Sequence, residues 1–146
     1  MTSARLLADF FGTFLAIWYI LLYNDVYNIG LQEFEEARRS MNFELTASMM
    51  CANYGHLARE VDLLESGGID SFHIDIMDGR YVPNFAMSLN DMKYIASATK
   101  KPLDVHLMIE HPNTRINLFL KNLRRGDTVY IHPEAEYHPS TTLQCR

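Results

Sequence analysis

From Phe43 onward, four short apolar runs alternate with helix-like segments, at a repeat of about 28 residues. The runs are "FELTASMM", "IDSFHIDIM", "KPLDVHLMI" and "DTVYIHPEA". Between them lie "NYGHLAREVDLLESGG", "SLNDMKYIASAT" and "NTRINLFLKNLRRG". In the first helical segment Leu57, Val61 and Leu64 recur at helical spacing, Asn53 stands as the N-cap, and Gly67 and Gly68 supply the stop. Ser88 caps the second, and Pro102 fits only the start of a strand. Short apolar strands separated by helices predict an α/β chain of parallel βαβ units with right-handed crossovers. A (β/α)8 barrel and an open doubly wound sheet both satisfy this pattern. The sequence has neither G-x-G-x-x-G nor G-x-x-x-x-G-K, so nucleotide binding has no local support.

Residues 1–42 read differently and form a separate segment ahead of residues 43–146. "FFGTFLAIWYILLY", residues 10–23, carries no charge. As a helix it would reach roughly 21 Å, short of the roughly 30 Å hydrocarbon core of a bilayer. It lacks a small-residue cleavage site, and only Arg5 precedes it as a basic residue. The expectation is an apolar helix packed on protein, with membrane contact through residues 10–23 as the less favoured reading. "LQEFEEARRS" continues as an amphipathic helix with a solvated face. A net charge of −5 argues against a nucleic-acid partner. Two distant cysteines, Cys51 and Cys145, make no disulfide framework, which points to a reducing cytoplasm.

The second strand carries the chemistry. In "HIDIMDG", residues 73–79, strand periodicity puts His73, Asp75 and Met77 on one face and Phe72, Ile74 and Ile76 on the other. Two polar groups on one side of an apolar strand require a metal or a hydrogen-bonded network. The third strand repeats the arrangement with Asp104, His106 and Met108. His73, Asp75 and His106 can converge at the carboxyl ends of their strands, and two imidazoles with a carboxylate suit Zn²⁺, Fe²⁺, Mn²⁺ or Co²⁺. Each histidine taken singly fits a hydrogen-bonded core or strand-end residue better than a ligand; taken together, the two readings stand level. Asp78-Gly79 reads as turn chemistry, and Met49, Met50, Met77 and Met108 as core filler.

The motifs "ASMMCANYGHL", "FHIDIMDGRYVPN", "PLDVHLMIEHP" and "IHPEAE", taken together, resemble the first half of a ribulose-phosphate 3-epimerase family protein. "MMC" and "FHIDIMDG" are also similar to the related allulose-6-phosphate 3-epimerases. The resemblance runs from about Leu45 to Pro139. It implies a (β/α)8 TIM barrel of which this chain holds about the first four βα units, preceded by the apolar helical segment. It implies an isomerase that inverts carbon 3 of a ketose phosphate through a cis-enediolate, with one divalent metal ion. His73, Asp75 and His106 would be metal ligands, and Asp75 one of two acid/base carboxylates. Ser48 would contact the substrate near the reacting carbons. Met50, Met77 and Met108 would line the apolar side of the enediolate.

The departures set the alternatives. The family's second catalytic aspartate and its phosphate-binding loops belong to later strands than the four present, and Ala47 replaces an expected proline. The expectation is a truncated epimerase of impaired activity. A non-catalytic half-barrel that self-associates or pairs with a full-length relative is the second reading. A membrane-associated remnant is the third.

Overall fold

In a computed structural model, the described residues are 44–135 together with Glu36 and Ser40. The chain divides into two compact units, residues 1–45 and 46–146; everything below concerns the second. Four strands follow one another in sequence and in space: β1 (Thr46–Ser48), β2 (Ser71–Met77), β3 (Leu103–Met108) and β4 (Thr128–Ile131). All three pairings are parallel. Helices α1 (Leu57–Ser66), α2 (Leu89–Ala98) and α3 (Pro112–Leu120) make the three connections. Neighbouring parallel strands in sequential order, joined by helices, are the arrangement of a partial (β/α) barrel.

Strand periodicity divides the sheet as the sequence predicts. Phe72, Ile74 and Ile76 on β2, with Leu103, Val105 and Leu107 on β3, are buried, as are Val61, Met92, Ile95 and Ile116 of the helices. These residues form the apolar core. The opposite face of the sheet is polar and layered. In the lower layer Thr46 Oγ1 lies 2.7 Å from Ser71 Oγ, which donates to Asp104 Oδ2 at 3.4 Å. Asp104, read from the sequence alongside His106, therefore serves the layer below it.

Several element boundaries depart from the sequence expectation, each for a local reason. The first strand stops at Ser48, and Met49–Cys51 form a 3₁₀ turn capped by the Ser48 hydroxyl, which accepts from Met50 N at 3.4 Å. Asn53 does cap, but it caps a single 3₁₀ turn, Tyr54–His56, by accepting from Gly55 N; α1 begins only at Leu57, after the poor helix former Gly55. Helix α2 starts with a full capping box between Ser88 and Asp91. Helix α3 opens on Pro112, where a missing N–H costs nothing, and ends at Leu120 rather than continuing to Gly126. There Asp127 takes the chain over: its carboxylate accepts from Arg124 N and from Leu103 N at the start of β3. The Arg124 guanidinium meanwhile donates to the carbonyls of Ala96, Thr99 and Lys101.

Among the described residues no helix is long and apolar enough to cross a membrane; the segment 10–23 lies outside them. Ile74 is fully buried whereas Leu118 is 55% exposed. Ile74→Ala is expected to cost about 2–5 kcal/mol and Leu118→Ala about 0.5 kcal/mol or less, measured as shifts in the denaturant midpoint.

Candidate active site

Register brings the polar groups together. Parallel pairing sets Ser48 beside His73 and Asp75 beside His106. Asp75 is at the centre and is buried. Its Oδ1 lies 3.1 Å from His73 Nε2 and 3.3 Å from His106 Nδ1. Its Oδ2 accepts from the Ser48 hydroxyl at 2.8 Å. Ser48 thus has two tasks, capping the 3₁₀ turn with its lone pair and holding the carboxylate with its proton.

Burial acts to raise the Asp75 pKa, but the hydrogen bonds of His106 and His73, the charge of His73 and the Ser48 hydroxyl outweigh it. The carboxyl is held well below the usual carboxylate range. The methionines named in the sequence are spread differently. Met77 and Met108 end their strands as register partners, Met77 half-buried and Met108 buried. Met50 is half-buried in the 3₁₀ turn rather than in a strand.

The donor set suits a cation. One ligand atom each from His73, Asp75 and His106 can be chosen so that all lie within 4.8 Å of one another. Atoms about 2.1 Å from a common tetrahedral ion stand roughly 3.4 Å apart, close to the two imidazole–carboxylate distances found. Two neutral imidazoles and a carboxylate are also ligands of the kind first-row divalent metals take.

The loops at the carboxyl ends of β2 and β3 are joined by Asp78. Its Oδ1 accepts from Arg80 N and Tyr81 N, both at 3.0 Å. Its Oδ2 accepts from Glu110 N at 2.9 Å and from Arg115 Nη1 at 3.2 Å. The turn expected at Asp78-Gly79 is present, and the carboxylate also reaches across to the next loop. Gly79 has a φ of +71°, so the backbone there favours glycine.

A second group of residues carries no role in the sequence reading. His132, just past β4, places Nε2 2.7 Å from His106 Nε2. Its Nδ1 lies 3.6 Å from Glu134 Oε1, which accepts from the Tyr81 hydroxyl at 2.9 Å. The available signal was phase: Tyr130 is the register partner of His106, and His132 follows two residues later.

A parallel α/β sheet with a His–Asp–His cluster at one polar face defines a class of site before any comparison is made. The family model described as the ribulose-phosphate 3-epimerase family matches residues 44–145, and the chain belongs to that family. It is 36% identical over 96 residues to a ribulose-phosphate 3-epimerase of Methanocaldococcus jannaschii, covering 66% of this chain and 39% of that one. It is 38% identical over 101 residues to that of Bacillus subtilis, covering 69% and 46%. A chloroplastic ribulose-5-phosphate-3-epimerase of Arabidopsis thaliana is 37% identical over 92 residues, covering 63% and 32%. The chain spans less than half the length of each of these relatives.

Asp78 supplies a test of how the loops are held. Burial opposes its ionisation, but the amides of Tyr81, Glu110 and Arg80 and the nearby Arg115 lower its pKa. A carboxyl whose folded pKa is depressed stabilises the fold fully above its unfolded value, about 3.9, and loses that contribution as pH falls through the folded value. Asp78→Asn is therefore expected to cost about 2 kcal/mol at neutral pH, with the gap from wild type closing below about pH 4. Urea denaturation at a series of pH values measures it.

Proposed function

We infer that this chain supplies the proton-abstracting half of a ketose-phosphate 3-epimerase site acting on ribulose 5-phosphate and xylulose 5-phosphate. The observation that carries the reading is the buried Asp75 carboxylate, bound on one oxygen by two imidazoles and on the other by Ser48. Membership of the epimerase family supports it. The names of the relatives favour the pentose phosphates over allulose 6-phosphate and fructose 6-phosphate.

Asp75 acts as the base. Its depressed pKa keeps it ionised at neutral pH, so the base form is fully populated before substrate arrives. It takes the proton from carbon 3, beside the carbonyl, and becomes a carboxylic acid; the C–H electron pair passes into the enediolate. Ser48, hydrogen-bonded to Oδ2, orients the carboxylate toward the reacting carbons. Met50, Met77 and Met108 line the site and limit water around the enediolate. His73, His106 and Asp75 would hold one divalent cation, of the Zn, Fe, Mn or Co type. Such a cation supplies Lewis-acid stabilisation of negative charge on the substrate oxygens. Inversion then needs a proton delivered to the opposite face by a second acid, which family resemblance assigns to a later strand.

A second reading concerns assembly. In the described sheet β1 and β4 are the edge strands, and all four residues of β4 are half-exposed. Unpaired parallel edges favour association with a second copy or with a relative. Light scattering after size exclusion is expected to give a mass above that of one chain; a monomer would overturn this reading.

The catalytic reading predicts a separation of two rates. The 146-residue chain alone, given ribulose 5-phosphate and a divalent metal, is expected to exchange the carbon-3 proton with solvent deuterium while forming little xylulose 5-phosphate. Asp75→Asn is expected to lower the exchange by about 10²–10⁴-fold. Mass spectrometry of recovered sugar measures exchange, and a coupled assay measures the epimer. Exchange that survives Asp75→Asn would remove Asp75 from the role of base.

A further inference from the structure

His132 and Glu134 lie outside the ligand set, yet His132 is hydrogen-bonded to one of its members and Glu134 stands beside it. The two Nε2 atoms of His106 and His132 are 2.7 Å apart. A neutral imidazole has one N–H and one lone pair. Two facing ring nitrogens at that distance hold one proton between them: two would collide, and none would set lone pair against lone pair. The tautomers of the rings are therefore tied together. If His106 carries its proton on Nδ1, His132 carries its own on Nε2. If His106 carries its proton on Nε2, His132 must present a bare Nε2 and carry its proton on Nδ1.

Only the second arrangement leaves the His106 Nδ1 lone pair directed at the space beside Asp75 Oδ1, 3.3 Å away. With no cation the ionised Asp75 carboxylate favours a proton on His106 Nδ1; once a cation takes that lone pair, the surroundings of His132 favour the second arrangement. Its Nδ1 faces Glu134 Oε1 at 3.6 Å, a carboxylate that can only accept when ionised. The Tyr81 hydroxyl donates to the same oxygen at 2.9 Å, which fixes where the carboxylate stands. The Tyr81 and His106 rings each lie 4.9 Å, centroid to centroid, from the His132 ring, so His132 is flanked by both.

We propose that His132, oriented by Glu134 and Tyr81, is the positioning residue of His106: it accepts the His106 Nε2 proton and so presents Nδ1 as a lone pair for a cation shared with Asp75 and His73. The inference rests on the cation site proposed above. Outer partners of this kind fix both the tautomer and the ring direction of a ligating histidine. Here the partner is itself an imidazole, with a carboxylate two residues farther along the chain beside its Nδ1.

The test is long-range ¹H–¹⁵N NMR of the histidine rings in the full chain, with and without Zn²⁺, joined to zinc affinity by chelator competition. In the zinc-loaded protein, His106 is expected to be protonated on Nε2 and His132 on Nδ1. In the metal-free protein, one of the two facing Nε2 atoms carries a proton and the other does not. His132→Leu is expected to weaken zinc binding by about 10–100-fold with little change in melting temperature. His132→Gln, whose carbonyl oxygen can accept the same proton, is expected to recover most of that loss. A zinc-loaded wild type with His132 protonated on Nε2 would overturn the proposal, as would unchanged zinc affinity in His132→Leu. Wild-type protein that binds no zinc would sink the cation site itself. The metal-free spectrum, needing no variant to fold, would still decide whether the two rings hold opposite states.

Discussion

Parallel pairing of β2 with β3 sets Asp75 directly beside His106, and everything chemical in this molecule depends on that register. Neighbouring strands lie about 4.8 Å apart, so residues paired across them bring short side chains within hydrogen-bonding reach. A slip of β2 by one residue would turn Asp75 toward the apolar core and leave His106 without its partner. The register is held from the other face, where Phe72, Ile74 and Ile76 alternate with the polar residues and are buried. The hydrophobic core thus aims the carboxylate, although it touches no substrate.

The site is polar in layers. Thr46, Ser71 and Asp104 make a chain of hydrogen bonds across three strands; Ser48, Asp75, His73 and His106 make the next layer above it. A buried polar group is tolerated when its partners are satisfied, and each layer satisfies its members from neighbouring strands. The lower layer gives the polar face a defined floor beneath Asp75 and the two histidines. Ser48 joins backbone to site, since the hydroxyl that caps the turn after β1 also donates to the Asp75 carboxylate.

Much of this was legible in the residues. Alternation with period two in "FHIDIM" and "LDVHLM" separated the faces correctly, and Ser88 and Gly67-Gly68 marked helix ends because their side chains, or lack of one, act locally. Strand phase and the strand–helix repeat pointed to convergence at the strand ends, but periodicity could not supply the register between strands, which depends on packing over distant residues. Local rules also failed where two neighbours competed. Ser48 captured Met50 N and ended the first strand early, and Asn53 spent its cap on one 3₁₀ turn. His132 carried a phase signal, two residues after Tyr130, but periodicity along one strand does not show that its ring meets His106 on the neighbouring strand. Its partner Glu134 meets Tyr81 from a loop 53 residues earlier, a distance no local pattern spans.

Asp78 holds three backbone amides, those of Arg80, Tyr81 and Glu110, with a single carboxylate. These amides belong to two different loops, so neither loop can lift from the strand ends without straining the other's bonds. Any opening of one loop is accordingly coupled to the other through this carboxylate. Hydrogen exchange at the three amides would then report one shared event, and access to the ligand cluster becomes a property of the paired loops rather than of either alone.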